Sequence, residues 1–361
     1  MPMTFSDHFN LSADICYVNS SGNGLVPKRS LHWRRTWEEQ FFRVDTDLRD
    51  QQTSFLSTVK DTIARVFHTA EHKVYLTPNF SFGYSTLIDL LPKDYRYLAL
   101  EGEYPSILYP IISRNLAYKT VKADEQVEEN ILKAIEDYKP NVLLISIVQY
   151  ISGLKIDPRF FRRLKEEYPD IWIIADGSQY LGTEDFAFDR SGIDALSCSG
   201  YKWLCSGFGN GFLLLNQKLQ AALELGLKGI PRPSTDFWSN KSVLDTFFEP
   251  GHVDTVSQGT LKESLLLFEE LGFDAIGEHI TTLCDEAYSL LAERDLLLPE
   301  IARRPLRSAL INIQLDQALY PKLLAAGIKC FPRGTGIRIG LHLYNKLEDI
   351  HRLIATIDKL R

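Results

Sequence analysis

A carboxylate and an amine follow two neighbouring apolar segments of the sequence. Asp176 ends the run IWIIAD, and Lys202 lies in SGYKWL, between the run ALSCS and the glycine-rich loop GFGNG. A carboxylate at the end of a buried strand is costly unless something pairs with it. Taken singly, Asp176 could be a turn or helix-capping residue and Lys202 a solvated surface residue. Taken together they fit pyridoxal phosphate, which needs a lysine amine for its Schiff base and an acid near its ring nitrogen.

The segments around these two residues alternate between helical and strand-like patterns. Strands are predicted at YRYLAL, NVLLISIV, IWIIAD, DALSCS and GFLLLN. Helices are predicted over 50–69, 80–91 and 125–138, and from the Asp157–Pro158 cap through 168. Short apolar strands separated by helices indicate an α/β fold with a mainly parallel sheet covered by helices. Ligands bind such sheets at the carboxyl ends of the strands, which is where Asp176 and Lys202 fall.

The pattern changes near residue 256. Residues 260–293 are predicted to be mainly helical, and 306–361 to mix short strands with a terminal helix, EDIHRLIATIDKL. We therefore predict a large domain over 15–255 and a smaller α+β domain formed by 256–361, with 1–14 packed beside it.

Composition narrows the class of protein. The chain has 361 residues and a net charge of −7, which argues against a nucleic-acid partner. Its five scattered cysteines contain no C-x-x-C pair, which argues against a disulfide framework or a metal site of the zinc type. With no secretory signal pattern and no uncharged run of membrane-spanning length, we expect a cytoplasmic protein without a membrane partner.

On these residues the sequence resembles the class V aminotransferase family, within fold type I of the pyridoxal-phosphate enzymes. The specific matches are Asp176-Gly-Ser-Gln179, Ser199-Gly-Tyr-Lys202-Trp-Leu and Gly209-Asn-Gly-Phe, with weaker matches from Asn19-Ser-Ser-Gly to Arg338 and Tyr344-Asn. The resemblance implies pyridoxal 5′-phosphate as cofactor, a Schiff base at Lys202, Asp176 at the ring nitrogen and a homodimer whose active site lies at the subunit interface.

The resemblance also implies a phosphate site. Thr77-Pro-Asn-Phe-Ser81 precedes a predicted helix, whose N-terminus suits a phosphate. The backbone of Phe80 and the hydroxyls of Ser81, Ser199 and Tyr201 are implied ligands, although Ser81 read alone could be a simple N-cap.

A further phosphate contact is implied across the dimer interface. Gly251 and His252, in FEPGHVDT, match a segment that reaches the partner's phosphate, where the family usually has threonine in place of His252. The aromatic residues Trp238, Phe247 and Phe248 mark an interface segment around 238–256, although they could also be core residues.

Three side chains are implied near the cofactor ring. Tyr104 stands where the family often has a ring-stacking histidine; tyrosine can stack, but it cannot take up a proton near neutral pH. Gln179 is expected to donate to the ring's phenolic oxygen, and Gln149, with Tyr150, to lie near the cofactor. For Tyr104 a core or interface position remains open.

Arg338, in GIRIGLHLYN, matches the arginine that holds a substrate carboxylate. A guanidinium suits this role because it binds a carboxylate through two parallel hydrogen bonds. Arg333, in PRGTG, could compete for it, and Arg338 could instead form a surface salt bridge.

The reaction depends on more than the cofactor, since the family includes transaminases, cysteine desulfurases, kynureninase-like hydrolases and an epimerase. One desulfurase branch has its thiol shortly after the arginine, where this chain has Leu343; Cys330 precedes the arginine and Cys284 falls in a predicted helix. We therefore predict an aminotransferase that moves an amino group from a small α-amino acid to a 2-oxo acid, with Lys202 as general base. A lyase, hydrolase or epimerase of the same superfamily is the alternative, followed by a non-catalytic cofactor-binding relative.

Overall fold

The computed structural model describes residues 4–232, 234, 238 and 241–361, so residues 1–3 of the predicted N-terminal segment and 239–240 of the predicted interface segment lie outside it. Its central sheet is built from β2 (Val74–Thr77), β3 (Arg96–Leu100), β4 (Ala117–Val121), β5 (Val142–Ser146), β6 (Trp172–Asp176), β7 (Ala195–Ser199) and β8 (Gly211–Leu215). The strand order is β2-β8-β7-β6-β5-β3-β4. Pairing is parallel from β4 through β7, and β8 is antiparallel to both of its neighbours. The mainly parallel sheet predicted from the sequence is confirmed.

Apolar side chains fill both faces of this sheet. Successive residues point to opposite faces of a strand, so Leu143 and Ile145 join one buried cluster while Val142 and Leu144 join the other. Phe248, an aromatic of the predicted interface segment, is buried in the second cluster and is therefore a core residue of its own chain.

Helices cover the two faces. Those predicted from the sequence are α2 (Leu48–Val66), α3 (Phe80–Leu90), α5 (Val127–Tyr138) and α6 (Pro158–Glu167). Asp157 caps α6 as expected, since its carboxylate accepts the Arg159 N–H at 2.9 Å. The helical region predicted over 260–293 contains α9 (Thr255–Leu271) and α10 (Phe273–Ala292), and the predicted terminal helix is α13 (Leu347–Leu360). The other helices are α1 (Lys28–Gln40), α4 (Pro105–Ser113), α7 (Gln217–Gly226), α8 (Asp245–Phe248), α11 (Pro299–Ala302) and α12 (Tyr320–Ala325).

Helix α1 lies against α9 at close range. A Cβ placed on Gly259 of α9 would overlap the indole ring of Trp33. That ring stacks on Trp37 of α1 and on Phe55 of α2. The absence of a side chain at Gly259 is therefore what lets these three helices meet through one aromatic stack.

The C-terminal part forms its own small sheet. Strands β9 (Leu310–Ile313), β11 (Phe331–Arg333) and β12 (Gly336–Gly340) pair antiparallel in the order β11-β12-β9. The N-terminal strand β1 (Cys16–Tyr17) pairs in parallel with β10 (Ile328–Lys329), and Asn19 bridges to Gly340. The N-terminal segment thus pairs with strands of the C-terminal part. The domain division at 255/256 remains a prediction.

No helix in the described ranges is long and apolar enough to cross a membrane.

Candidate active site

Lys202 and Asp176 lie at the carboxyl edge of two adjacent parallel strands. Asp176 is the last residue of β6, and Lys202 follows the end of β7 by three residues. Both side chains are buried. The two groups are close enough that each charge shifts the pKa of the other. The pair predicted from the sequence is therefore brought together at the expected edge of the sheet.

A tight turn after β7 sets the position of Lys202. The Gly200 N–H donates to the Asn210 carbonyl at 3.1 Å, and the Gly200 carbonyl accepts the Ser206 N–H at 3.1 Å. A Cβ on Gly200 would overlap the side chains of Asn210 and Ser206. Glycine in the SGYKWL motif is required by this close approach, which directs the chain toward the strand edge.

Burial shifts the two pKa values in opposite directions. Loss of solvent lowers the pKa of the Lys202 ammonium and raises the pKa of the Asp176 carboxyl, and their mutual attraction offsets part of each shift. The Ser178 N–H, which donates to Asp176 Oδ1 at 2.8 Å, favours the carboxylate. An amine with a lowered pKa is a better nucleophile near neutral pH, and a buried carboxylate is a strong partner for an incoming cation.

Two tyrosine rings border the lysine, and a third tyrosine ring packs against one of them. Lys202 Nζ lies 5.7 Å from the ring centre of Tyr104 and 5.6 Å from that of Tyr201. Tyr150 meets Tyr104 edge-on at 5.3 Å, and Tyr201 packs against the exposed ring of Phe208 at 4.8 Å. Tyr104 and Tyr201 are therefore beside Lys202, where the sequence placed them, and Tyr150 extends the same wall.

The proposed phosphate residues meet at the N-terminus of α3. The Phe80 N–H donates to Ser199 Oγ at 2.9 Å, and Asn79 caps the helix by accepting the Phe82 N–H. Ser81 Oγ donates to Ser106 Oγ at 2.8 Å. These backbone and hydroxyl groups form the kind of donor set that holds a phosphate at a helix N-terminus. Ser106 was not predicted; its position directly after Pro105 in the first turn of α4 is the signal that could have found it.

The two glutamines are already engaged in hydrogen bonds. Gln149 donates from Nε2 to the Gly102 carbonyl at 2.7 Å, and its Oε1 accepts the N–H groups of Ile151 and Ser152. Gln179 donates to the Ser21 carbonyl at 3.0 Å and accepts the Trp203 indole N–H at 2.8 Å. Gln149 thus shapes the loop after β5, and a bond from Gln179 to a cofactor oxygen stays a prediction.

Arg338 lies on β12 and its guanidinium is buried. Nη1 donates to the Tyr150 carbonyl at 2.7 Å and Nη2 to the Ser21 carbonyl at 3.3 Å, while the buried Nε has no hydrogen-bond partner within the described residues. Burial, together with the nearby charge of Arg333, lowers the pKa of Arg338 to about 10. The surface salt bridge that the sequence left open does not describe this buried side chain.

Glu103 is a buried carboxyl at the site to which the sequence gave no role. Its Oε1 accepts the Ser146 N–H at 2.7 Å and its Oε2 accepts the Ser146 hydroxyl at 2.5 Å. Burial raises the pKa of Glu103 to about 7. Because Ser146 ends β5 and pairs in register with Asp176, Glu103 ties the loop that carries Tyr104 to the strand beside the catalytic edge.

Gly251 and His252 lie in the loop before α9. Gly251 has φ +69° and lines a surface cavity of about 320 Å³ with Lys60 and Asp245. His252 Nδ1 lies 2.6 Å from Gln52 Oε1. Since the structure holds one chain, the contact of this loop with a partner's phosphate stays a prediction.

None of the five cysteines is exposed, since all are buried free thiols. Burial raises their pKa values, to about 12 for Cys284 and Cys330. Leu343, at the position of the desulfurase thiol, is buried as well. A buried thiol with a raised pKa is a poor nucleophile, so a desulfurase thiol is not supplied by the described cysteines.

The donor set fits pyridoxal 5′-phosphate. Lys202 supplies the amine, Asp176 supplies a buried carboxylate, and the N-terminus of α3 with Ser199 supplies donors for a phosphate. The ring of Tyr104, which meets Tyr150 edge-on, lies beside the Lys202 amine.

The chain is similar to known proteins of one family. The sequence model of one protein family, described as Aminotransferase class-V, matches residues 35–353. The chain is 25% identical over 212 residues to the Bacillus subtilis (strain 168) protein named "Uncharacterized aminotransferase YcbU". That match covers 58% of this chain and 57% of the relative, so the chain spans just over half the length of the relative that it matches.

Two solved structures share the fold over nearly the whole chain. The apo cysteine desulfurase from Thermococcus onnurineus NA1 superposes with a TM-score of 0.83 at 15% identity, covering 99% of this chain and 97% of that one. The cystine C-S lyase C-DES, in complex with its product cysteine persulfide, gives a TM-score of 0.80 at 17% identity, covering 96% and 97%. At these identities the likeness establishes the fold. This chain belongs to the class V aminotransferase family and has the type I fold of enzymes that use pyridoxal 5′-phosphate.

Proposed function

We propose that this chain is an aminotransferase that moves an amino group from a small α-amino acid to a 2-oxo acid. The observation that carries the proposal is the buried guanidinium of Arg338, which has no ion-pair partner among the described residues and is near enough to Lys202 to lower its pKa. A buried cation without a counter-charge is costly, and a substrate carboxylate would supply that charge beside the lysine.

Each polar side chain of the site has a task in this proposal. Lys202 holds the cofactor through Nζ and, once the substrate amine has replaced it, takes the proton from the substrate α-carbon. The lowered pKa of Lys202 favours the neutral amine that can accept this proton. When bound, the cofactor supplies an electron-withdrawing ring next to that carbon.

Asp176 binds the cofactor at its ring nitrogen, and Arg338 binds the substrate at its carboxylate. The Asp176 carboxylate stabilises a positive charge at the ring nitrogen, and this attraction is strong because water is excluded from the edge of β6. Arg338 binds the substrate carboxylate and so orients the α C–H bond toward Lys202. Tyr104 and Tyr150 shield the reacting atoms from water.

The proposal includes a homodimer in which Gly251 and His252 of one subunit approach the phosphate site of the other. It is supported by the exposed apolar ring of Phe208 beside Tyr201, which a second subunit would cover.

The first experiment is visible absorbance of the purified protein with pyridoxal phosphate, before and after a panel of L-amino acids. We expect a band that borohydride bleaches irreversibly, with the adduct mapped to Lys202. One amino acid should then convert the band to the pyridoxamine form and release its keto acid, and a 2-oxo acid should reverse the change. Lys202→Ala should abolish the adduct and the transfer, whereas the exposed Lys218→Ala should leave both unchanged.

Other products would redirect the assignment. Release of ammonia or sulfide with a 2-oxo acid, without formation of pyridoxamine phosphate, would favour a lyase. Racemised substrate would favour an epimerase. A stable band without turnover of any amino acid would indicate a non-catalytic relative.

A further inference from the structure

A second arginine lies on the face of the small sheet that carries Arg338. Strand register places Phe331 of β11 directly opposite Arg338 of β12. Directly paired residues of antiparallel strands project from the same face, and so do residues two apart on one strand. Arg333, two residues after Phe331, therefore shares this face, and its guanidinium lies 5.3 Å from the centre of the Phe331 ring.

The backbone beneath Arg333 is fixed against the loop that binds Arg338. The Arg333 carbonyl accepts Asn312 Nδ2 at 2.9 Å, and the same Nδ2 donates to the Ile151 carbonyl at 3.0 Å. Gly334 packs so closely that a Cβ there would overlap Ile151. Arg333 is thus an exposed residue, but the turn that carries it packs against Ile151, in the same loop as Tyr150, whose carbonyl binds Arg338.

Arg333 and Arg338 share this face, and neither forms an ion pair with a carboxylate of the described residues. By contrast, Arg29, Arg114, Arg294 and Arg304 each have such a partner. The charge of Arg333 also lowers the pKa values of Arg338 and Lys202. Two like charges held near one another favour a ligand with two negative groups. Phe331, which is 40% exposed, offers an apolar surface beside Arg333.

We propose that Arg333 binds a second acidic group, at the end of the substrate side chain, while Arg338 binds the α-carboxylate. The substrate class is then an α-amino acid, or its 2-oxo acid, whose side chain ends in a carboxylate or a phosphate. The reaction performed on this substrate rests on the proposed function, but the binding of the second acidic group does not.

Matched ligand pairs test this assignment on the cofactor-loaded protein. The pairs are L-aspartate with L-asparagine, L-glutamate with L-glutamine, and O-phospho-L-serine with L-serine, each differing in the second acidic group. The kcat/KM of the first half-reaction is measured for every member. Calorimetry gives dissociation constants for unreactive glutarate, 3-phosphonopropionate and butyrate, of which only the first two carry a second acidic group.

We expect the wild-type chain to prefer the acidic member of at least one pair. Arg333→Met should lower kcat/KM for that member by roughly 10- to 100-fold, since a charge-assisted hydrogen bond is lost, and leave the neutral member within about twofold. Binding of the matching dianion should weaken similarly, butyrate should be unaffected, and Arg333→Lys should recover part of the loss. Arg303→Met, which removes an exposed arginine that pairs with Glu125, should behave as wild type. Glutarate and 3-phosphonopropionate separate the carboxylate from the phosphate class.

Two outcomes overturn the assignment: preference for the neutral member in every pair, or an equal effect of Arg333→Met on both members. If amine transfer from neutral amino acids persists in either case, the proposed function survives without this subsite. If dianion binding depends on Arg333 while no amino acid is transaminated, the subsite stands and the proposed function fails.

Discussion

Asp176 owes its properties to burial beside a single nearby cation. The Lys202 charge is the largest influence that lowers the pKa of Asp176, and Asp176 in turn is the largest influence that raises the pKa of Lys202. Each group therefore depends on the other in the protein without cofactor. This mutual dependence makes the pair a sensitive point for substitution.

Asp176→Asn should lower the pKa of Lys202 further in the cofactor-free protein, because the attraction that favours the ammonium is lost. The pH dependence of the rate at which pyridoxal reacts with Lys202 measures this shift. In the loaded enzyme we expect kcat to fall on the order of 10²- to 10³-fold, as for loss of other preorganised charges. Asp170→Asn, on a fully exposed side chain, is the control; an unchanged pH profile in Asp176→Asn would contradict the pairing.

Glu103 should make stability depend on pH. Its pKa rises from the usual value near 4.5 to about 7 on folding, so the folded state binds this proton more tightly than the unfolded state. The resulting stabilisation is present below pH 4.5 and is lost as pH rises through 7, amounting to about 3 kcal/mol. Glu103→Gln should flatten this part of the profile of urea midpoints, whereas Glu101→Gln, on an exposed neighbour, should not. A profile that keeps its slope in Glu103→Gln would place the proton elsewhere.

At this scale the sequence predicted the charged pair but not the groups that hold it. Asp176 and Lys202 could be inferred from residue type and from their places at the ends of strands, whereas Ser199 and Tyr104 were implied by the family resemblance. Glu103 lies in the loop after β3 and Ser146 ends β5, so the bond between these two residues, 43 positions apart, is visible only once β3 and β5 are paired. Ser21 acts through its carbonyl oxygen, which every residue carries, so no residue type could indicate it.

Among the helices, α9 contains a glycine, Gly259, that stabilises the fold, although glycine inside a helix usually destabilises it. Gly259→Ala in a helix interior would ordinarily stabilise by about 1 kcal/mol. Here the added Cβ would overlap the Trp33 ring, so we expect a net loss of about 1–3 kcal/mol, measured as a lower urea midpoint. Gly277→Ala in α10 is the matched control, because its Cβ would make only ordinary contacts, and it should stabilise. A stabilised Gly259→Ala would show that α1 can shift without cost.

The predicted elements agree with the structure where periodicity and burial coincide. β5, β6, β7 and β8 are fully buried, and their continuous apolar runs identified them. Helix α1 was not predicted, since its apolar contacts depend mainly on Trp33 and Trp37 within a sequence rich in arginine and glutamate. The antiparallel direction of β8 depends on the tight turn after Lys202, which strand patterns do not reveal.

For the whole molecule, the proposed dimer can be tested at Phe208. Its ring is 69% exposed and packs on Tyr201 beside Lys202. Phe208→Glu should shift the sedimenting species from twice the chain mass of 41.2 kDa to the single chain, and weaken binding of the cofactor. Phe208→Tyr keeps the ring and should remain dimeric. A wild-type chain that sediments as a monomer would remove the dimer from the proposal.

The hydrogen bonds accepted by the Ser21 carbonyl have a consequence for folding during synthesis of the chain. It accepts hydrogen bonds from both Gln179 and Arg338, and the second of these residues is 317 positions further along the chain. During synthesis the N-terminal segment leaves the ribosome first, yet its partners β10 and β12 are translated near the end. Closing so long a loop is entropically costly and slow. We expect a nascent chain that stops before Ile328 to form the central sheet with its lysine in place, but to lack the pocket that receives a substrate carboxylate.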